Sequence, residues 1–295
     1  MPVRIDSHVH IMPPWRLKAL VRWILKAYPN HPVEDSISAT DILSHLKTFD
    51  ITHFFNFIYP LTVEETEGLN RFNSEFCAKT PGAIPFASMH PETSEKASYA
   101  EKLMGDGFFV GFKFHPFVQK FEPWDKRMDF LYLSLQEMKK PVFFHTGFEL
   151  FYGQKMPIAD LVKLVKRYSA LPMVFVHMAF PDCLSCFDLL EDYPELYLDA
   201  TNVLAFFRPE FKGFVKSLPG QHRFMDQLLE GIEKHSDRIM YGSDYPVGMG
   251  ALEDIYKDLD QLSLSDKAKN DLRTDTAQKF VNRFQPDFNW DLKLQ

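Results

Sequence analysis

The 295-residue sequence has no surplus of positive charge and no long apolar run. With a formal net charge of -7, it has no basic excess to neutralise a phosphate backbone, which excludes a general nucleic-acid binder. Its apolar runs are shorter than the ~18 residues of a membrane-spanning helix, and its amino terminus is a charged, strand-like segment unlike the core of a secretion signal. We therefore expect a cytoplasmic protein with neither nucleic acid nor a membrane as a partner.

Cysteine is scarce, and no segment is of low complexity. Three cysteines are an odd number in a long chain and imply no disulfide framework. Cys183 and Cys186 form a C-x-x-C pair, but a zinc knuckle needs two more ligands nearby, so we expect ordinary packing. Phenylalanine is abundant, with 29 residues, in a composition that is 45% hydrophobic and 25% charged. This composition is typical of a soluble globular protein and suggests an aromatic interior.

Strand-like and helix-like segments alternate along the chain. Each short run of β-branched or aromatic residues is followed by a segment with helical spacing, as in βα units on a parallel sheet. The eight runs are Val3–His10, His53–Tyr59, Ile84–His90, Phe109–His115, Val142–Thr146, Val174–Met178, Leu196–Thr201 and Ile239–Asp244. Eight such units predict a closed (β/α)₈ TIM barrel of the α/β class. The alternative, a doubly wound open sheet, would offer a glycine-rich turn where this chain has His8-Val9-His10.

The long connection after strand one predicts an inserted helix. From Arg16 to Tyr28, apolar residues recur at intervals of three and four, which is typical of an amphipathic helix. Two interpretations stay open, a lid over the barrel mouth and an extra helix packed on the rim. Because no linker-like segment interrupts the chain, we predict a single domain over residues 1–284 and a short polar tail at 285–295.

Histidines concentrate at one end of the predicted strands. Six of the 11 lie at carboxyl ends, namely His8, His10, His90, His115, His145 and His177. The others fall in helices, loops or strand starts, outside the expected site, namely His31, His45, His53, His222 and His235. Because barrel enzymes assemble their active sites at the carboxyl ends of the strands, this distribution predicts a convergent site.

Five of these strand-end residues suit a metal ion. His8 and His10 are two residues apart on a strand, so their side chains share one face and can converge on one ion. His145 and His177 each end an apolar run, and Asp244 ends strand eight, where an unpaired carboxylate is rare. This set predicts an open site for a divalent ion such as zinc, which lowers the pKa of a bound water to ~7. Asp244 could both bind the ion and accept a proton.

Lys113 has the same strand parity as His115, so both side chains face the same way. If they face inward, the buried ammonium needs a partner or a lowered pKa. Three interpretations stay open: a structural salt bridge with Asp199 or Asp244, a group that orients a substrate carboxylate, and a carbamylated lysine that bridges two metals.

The substrate-binding residues are less constrained by the sequence. Aromatic residues fall in the loops over the predicted mouth, namely Trp15, Tyr59, Phe148, Phe151, Tyr152, Phe206 and Phe207. Arg208 could receive a carboxylate in a bidentate pair, although a loop arginine is usually solvated. We take Lys113, His115, Arg208 and Trp15 as candidates for binding an aromatic or otherwise planar acid, ester, lactone or amide.

The strand-end motifs together resemble the amidohydrolase superfamily, and within it the amidohydrolase-related branch that includes aminocarboxymuconate-semialdehyde decarboxylase. The motifs span the barrel and are Asp6-Ser7-His8-Val9-His10, Gly111-Phe112-Lys113-Phe114-His115-Pro116, Phe144-His145-Thr146-Gly147, Val176-His177-Met178 and Tyr241-Gly242-Ser243-Asp244-Tyr245-Pro246. The resemblance implies a metal-dependent enzyme of TIM-barrel fold.

By that resemblance, His8, His10, His145 and Asp244 are metal ligands. In members with one ion, the histidine at the position of His177 is an acid/base group. In members with two ions it binds the second metal, and the strand-four lysine is carbamylated. This chain has a residue for each of those positions, so both one ion and two ions are compatible with it.

We predict a metal-dependent hydrolase that uses metal-activated water on a small-molecule substrate. Non-oxidative decarboxylation, a carboxy-lyase reaction also found in the branch, is the alternative, and a non-catalytic barrel stabilised by metal is a more distant one. An open metal position beside His177 and Asp244 as acid/base groups favours the enzyme. The sequence leaves the oligomeric state open, a homodimer included.

Overall fold

Eight short parallel strands form the centre of the structure, a computed structural model that describes residues 3–147, 152–154, 156–209 and 221–294. The strands are β1 (Ile5–Val9), β2 (His53–Asn56), β3 (Ala83–Pro85), β4 (Phe112–Phe114), β5 (Val142–His145), β6 (Met173–Val176), β7 (Leu196–Asp199) and β8 (Ile239–Met240). Each predicted run contains or overlaps one of them. The observed strands are shorter, because the carboxyl-terminal residues of most runs leave the hydrogen-bonded ladder and enter loops.

The strands close into a barrel through two ladders. One ladder pairs β1, β2 and β3, and the other pairs β4 to β8 in order. Single bridges join the two ladders, between Ala87 and Phe112 on one side and between Val9 and Tyr245 on the other. The predicted (β/α)₈ barrel is therefore confirmed.

Helices surround the strands. They are α1 (Pro14–Ala27), α2 (Ala39–Thr48), α3 (Glu65–Lys79), α4 (Lys96–Met104), α5 (Pro116–Gln119), α6 (Asp129–Glu137), α7 (Ile158–Arg167), α8 (Cys183–Asp192), α9 (Gln221–His235), α10 (Leu252–Gln261), α11 (Asp266–Asn270) and α12 (Thr276–Phe284). Short 3₁₀ turns lie at Lys126–Met128, His177–Ala179, Leu204–Phe207 and Ser236–Arg238, with a π-helical segment at Asp271–Asp275. Within the described ranges, none of the helices has the length and apolarity that crossing a membrane requires.

The helix α1 is the insertion that the sequence predicts after strand one. Proline in its first turn suits a helix start, because that residue needs no intrahelical donor. Its buried residues Leu17, Val21 and Ile24 follow the predicted spacing of three and four, and they pack with β1 and β2 side chains. The helix is thereby fixed to the barrel by one apolar face, and its other face stays in solvent.

The barrel interior is filled by phenylalanine. Phe55, Phe57, Phe86 and Phe143 are fully buried, with neighbouring ring centroids about 5 Å apart in tilted or edge-to-face contacts. Aromatic pairs prefer these arrangements because ring edges are positive and ring faces negative. The stack forms a rigid apolar floor beneath the carboxyl ends of the strands.

The segment after Phe284 packs on the opposite end of the barrel. The rings of Phe288 and Trp290 contact His53, at centroid distances of 6.0 and 4.8 Å. The backbone N–H of Leu294 donates to the carbonyl of Thr52 at 2.9 Å. The carboxyl-terminal residues thus cover the end of the barrel that lies away from the carboxyl ends of the strands.

Candidate active site

His8, His10 and Asp244 bring three ligand atoms together at the carboxyl ends of β1 and β8. The Nε2 atoms of the two histidines are 3.2 Å apart, and Asp244 Oδ1 lies 3.1 Å from Nε2 of His10 and 3.5 Å from Nε2 of His8. All three residues are buried. In the described part of the chain, this is the one group of three such side chains close enough to share an ion.

Each histidine of this group is oriented through its other ring nitrogen. His8 Nδ1 donates to Asp199 Oδ2 at 2.8 Å, and His10 Nδ1 donates to the carbonyl of Phe57 at 3.0 Å. With the protons assigned to Nδ1, both Nε2 atoms present lone pairs to the Asp244 carboxylate. Three lone-pair-bearing atoms that face one another are the donor set of a divalent cation. The residues therefore fit the metal that the sequence predicts.

A second group of histidines lies beside the first. His177 Nδ1 donates to the carbonyl of Thr201 at 2.8 Å, and its Nε2 is 3.2 Å from Nδ1 of His145. The ring of His145 stacks on that of His115, with centroids 3.7 Å apart. His145 Nε2 is buried and has no hydrogen-bond partner among the described residues. The lone pair on this nitrogen makes His145 suitable as a further metal ligand.

The backbone at His177 and Asp244 is left-handed, with φ values of 61° and 59°. Non-glycine residues seldom adopt this conformation, and they do so where surrounding contacts enforce it. At Asp244 the enforcing contacts include its N–H, which donates to the carbonyl of His8, and its Oδ2, which accepts from Asn202 at 2.7 Å. The two predicted acid/base residues are thus held in fixed directions.

Gly242 allows β1 and the segment after β8 to approach closely. A Cβ atom at this position would lie 2.4 Å from the backbone N of His8 and 2.6 Å from its Cβ. No side chain fits in that space. The glycine of the Tyr-Gly-Ser-Asp motif therefore sets the distance between the histidine pair and Asp244.

Burial lowers the pKa of His8, His115 and His145 well below the usual range, and nearby Lys113 adds to the effect in each case, so these three imidazoles are neutral. Burial alone would raise the pKa of the Asp244 carboxyl, but the attraction of a proton on His8, His10 or His177 outweighs it, and that pKa lies well below its usual range. Neutral imidazoles and an ionised carboxylate are the protonation states that bind metal.

Lys113 lies beneath the site and is completely buried. Its Nζ sits 4.9 Å from the ring centre of Phe57 and makes no hydrogen bond with any described residue. Burial lowers its pKa to about 7, against the attraction of Asp199 and Asp244. The salt bridge considered from the sequence does not form, because neither carboxylate comes within bonding distance of Nζ in the described structure.

A cavity of about 600 Å³ opens above these residues. Its floor is polar and contains His10, His115, His145, His177, Asn202 and Asp244. Its walls are mainly apolar and aromatic and include Leu20, Trp23, Ile24, Tyr28, Tyr59, Tyr152, Phe180, Phe206, Val247 and Met249. Since three of these come from α1, that helix covers the mouth of the barrel.

A family model described as amidohydrolase matches residues 5–283. The chain belongs to the amidohydrolase family. No curated protein matches.

Among solved structures, an uncharacterised TIM-barrel protein from Bordetella bronchiseptica has a TM-score of 0.68 at 15% identity, covering 95% of this chain and 99% of that one. A 2,6-dihydroxybenzoate decarboxylase from Rhizobium has a TM-score of 0.64 at 12% identity, with coverages of 96% and 99%. A manganese-bound 5-carboxyvanillate decarboxylase from Novosphingobium aromaticivorans has a TM-score of 0.66 at 14% identity, with coverages of 95% and 97%.

The resemblance read from the strand-end motifs is confirmed by this match, which spans nearly the whole barrel. The solved structures are less than 25% identical to this chain, so their similarity shows agreement in fold alone. The family is one of metal-dependent enzymes, and the His8, His10 and Asp244 group is where a metal would bind.

Two of the residues predicted to bind substrate, Arg208 and Trp15, are not part of the described cavity lining. The guanidinium of Arg208 makes two hydrogen bonds to the Asp258 carboxylate, at 2.7 and 2.6 Å, and a third to the carbonyl of Met249. Three of its five N–H donors are therefore already used, two of them on one buried carboxylate. Trp15 is 57% exposed on the outer face of α1 and is not part of the described cavity lining. Of the predicted loop aromatics, Phe148 and Phe151 lie outside the described residues.

The predicted division of the histidines into those at the site and those outside it has two exceptions, His90 and His31. His90 lies at a strand end but is partly exposed and is not part of the described lining. His31 was expected outside the site but lines the cavity, because its Nε2 donates to the carbonyl of Gly248 at 2.8 Å. Cys183 and Cys186 are buried thiols in α8, which is the ordinary packing expected of them.

Sequence reasoning missed two residues that bond to the candidate metal ligands. Asp199 orients His8, and Asn202 donates to Asp244. The available signal was position, since Asp199 ends β7 and Asn202 lies three residues after it.

Proposed function

We propose that this member of the amidohydrolase family is a metal-dependent carboxy-lyase that removes CO₂ from a small aromatic carboxylic acid. The observation that carries the proposal is the contrast within the cavity, between apolar aromatic walls and a floor of histidines and one carboxylate. A planar ring suits such walls, and a carboxylate suits a floor that holds a cation. The compared decarboxylases act on 2,6-dihydroxybenzoate and 5-carboxyvanillate, which supports the same substrate class for this chain.

His8, His10, His145 and Asp244 would hold the metal, with zinc and manganese as the two candidates. When bound, the divalent ion supplies positive charge that fixes a substrate oxygen and stabilises the charge developing during the reaction. The manganese-bound relative supports manganese, and the nitrogen-rich donor set supports zinc.

The chain's own residues then have to move one proton. Decarboxylation breaks the bond between the ring and the carboxyl carbon, and the electron pair stays on the ring carbon. That carbon needs a proton, which comes in net from solvent. Asp244 is the one carboxylate among the described residues that line the cavity, so we assign it as the group that accepts and passes on this proton.

His177 and Asn202 orient the transfer. Asn202 donates to Asp244 Oδ2, which leaves Oδ1 to face the histidine pair. The Nδ1 proton of His177 is engaged by the carbonyl of Thr201, so its Nε2, which lies 3.2 Å from Nδ1 of His145, is the ring atom that would exchange a proton. We assign His177 as the second acid/base group.

Hydrolysis of a small ester, lactone or amide is the second candidate. The observation in its favour is the place of Asp244, whose carboxylate lies beside the candidate ligands His8 and His10 and could accept a proton from water there. Decarboxylation and hydrolysis therefore use the same residue, and they differ in substrate and product.

The experiment is a turnover screen of the protein loaded separately with Zn²⁺ and Mn²⁺. The panel pairs hydroxybenzoic acids with their methyl esters, and small lactones are included. A carboxy-lyase releases CO₂ and, in D₂O, places deuterium on the ring carbon. A hydrolase releases no CO₂ and incorporates ¹⁸O from labelled water into its product. Hydrolysis without any CO₂ release from the acids would replace the first candidate by the second.

A further inference from the structure

The outer face of α1 carries unopposed positive charge. Lys18, Arg22 and Lys26 are exposed and lie four residues apart, so they form one stripe along the helix. The helix contains four basic residues and no acidic residue. This is unusual in a protein whose formal net charge is -7.

These three cations lack ion-pair partners among the described residues. Many other surface cations are paired, in the ion pairs Arg127–Glu92, Lys163–Asp160, Lys234–Glu191, Lys257–Glu253 and Arg283–Glu195. An exposed helix usually gains stability from carboxylates placed one turn away from its cations. The three cations of α1 have no such carboxylate among the described residues, so they can interact with an anion that approaches from solvent.

The stripe stands beside the entrance of the cavity. Leu20, Trp23 and Ile24 of the same helix line the cavity. Trp23 is also 40% exposed, which places it at the border between the wall of the cavity and the outer face. Arg22 and Lys26 lie one residue before and three residues after Trp23, which on a helix places both on the same side of it, away from the buried face.

The described lining of the cavity contains no lysine or arginine. Arg208 is occupied by Asp258, and Lys113 is sealed beneath the floor. Arg16 is buried, with its guanidinium over the ring of Tyr59. Among the described helices that contribute to the cavity lining, α1 is therefore the one whose exposed cations stand beside it.

We infer that α1 is an electrostatic entrance that captures anionic substrates and selects carboxylates over neutral compounds of the same shape. This inference rests on the proposed function, in which the substrate is a carboxylate. Charges of one sign beside a cleft raise the local concentration and the association rate of an oppositely charged ligand. The effect weakens with salt, because the screening length falls from roughly 20 Å at 20 mM to about 4 Å at 0.5 M.

The test compares two triple variants that lose the same charge. One is Lys18→Gln/Arg22→Gln/Lys26→Gln. The control is Lys47→Gln/Lys79→Gln/Lys166→Gln, which changes exposed lysines in the last turns of α2, α3 and α7, at the ends of these helices that lead into the next strand and lie away from the mouth. The probes are benzoate and the neutral benzamide, and binding to the metal-loaded protein is followed by tryptophan fluorescence, with Trp23 in the cavity wall as the reporter.

At 20 mM salt, we expect the α1 variant to bind benzoate about threefold to fivefold more weakly than the parent. Benzamide binding should be unchanged, the control should behave as the parent, and the difference should vanish at 0.5 M salt. The inference is overturned if the variant binds both probes as the parent does, if both weaken equally, or if the parent shows no preference for benzoate at low salt. Because the assay needs no turnover, a charge-selective entrance on a protein that decarboxylates nothing would count against the proposed reaction alone.

Discussion

Nε2 of His8 and Nε2 of His10 face each other at 3.2 Å, and the Nδ1 proton of each ring is already donated elsewhere. Two neutral nitrogens that both present lone pairs repel each other, and the nearby Asp244 carboxylate offers a third lone pair instead of a proton. A cation between them removes that conflict. The arrangement explains why the strand-one motif has a histidine at every second position, and the first three predictions follow from it.

The first prediction concerns metal content. We expect close to one divalent ion per chain, because the described residues form one group of three ligands. Elemental analysis after purification without chelators and reloading with zinc or manganese measures it. His8→Ala/His10→Ala should abolish retention, whereas His90→Ala/His235→Ala should not, because these two histidines lie away from the cavity. A second ion that appears only with added bicarbonate, and is lost in Lys113→Met, would instead support a carbamylated Lys113.

The second prediction concerns Asp199, which touches His8 and not the cavity. Asp199→Ala removes the acceptor that fixes the His8 ring, so we expect metal affinity to fall by about 10-fold to 100-fold. Asp199→Asn keeps an acceptor oxygen and should lose less. Competition with a chelator of known affinity measures both variants. Equal affinity in Asp199→Ala and the parent would show that the His8 ring is held by other contacts.

The third prediction concerns Asp244. With an active substrate in hand, Asp244→Asn should reduce turnover by more than about 100-fold, since acid/base catalysis alone is worth about 10² to 10⁴. The rate is measured on folded protein with its metal content verified, so that lost metal is not mistaken for lost proton transfer. Turnover within threefold of the parent would remove Asp244 from the mechanism under either reaction.

The fourth prediction concerns Lys113 and pH. Its pKa is lowered to about 7 in the folded protein, from 10.5 when exposed. Between these values unfolding takes up a proton, so the parent loses about 1.4 kcal/mol of stability per pH unit as pH falls from 10.5 towards 7. Lys113→Met lacks this loss. Its stability advantage over the parent should therefore be about 2 kcal/mol larger at pH 7.5 than at pH 9.5.

Urea unfolding of the metal-free proteins at the two pH values measures that difference. The control is Lys47→Met, which removes an exposed lysine and should show no such change between the two pH values. A constant gap between the parent and Lys113→Met would mean that the buried ammonium keeps its charge across this range.

The sequence alone predicted the strands and the inserted helix, because each depends on short-range spacing. Strand parity placed His8 with His10, and the position of Asp244 after an apolar run placed it at the same end of the barrel. Arg208 could not be predicted in the same way, since its partner Asp258 lies 50 residues further on. His31 enters the site only because the chain beyond α1 folds back towards Gly248.

The closure of the barrel has a consequence for how the protein would keep its shape. The first strand and the segment after the last are joined by one bridge, Val9 to Tyr245, and by three backbone hydrogen bonds, one of them as long as 3.4 Å. His8 and His10 stand on one side of this seam and Asp244 on the other. An ion bound by all three residues would cross-link β1 to the segment after β8. Removing it with a chelator would therefore favour local opening of the barrel between these two segments first.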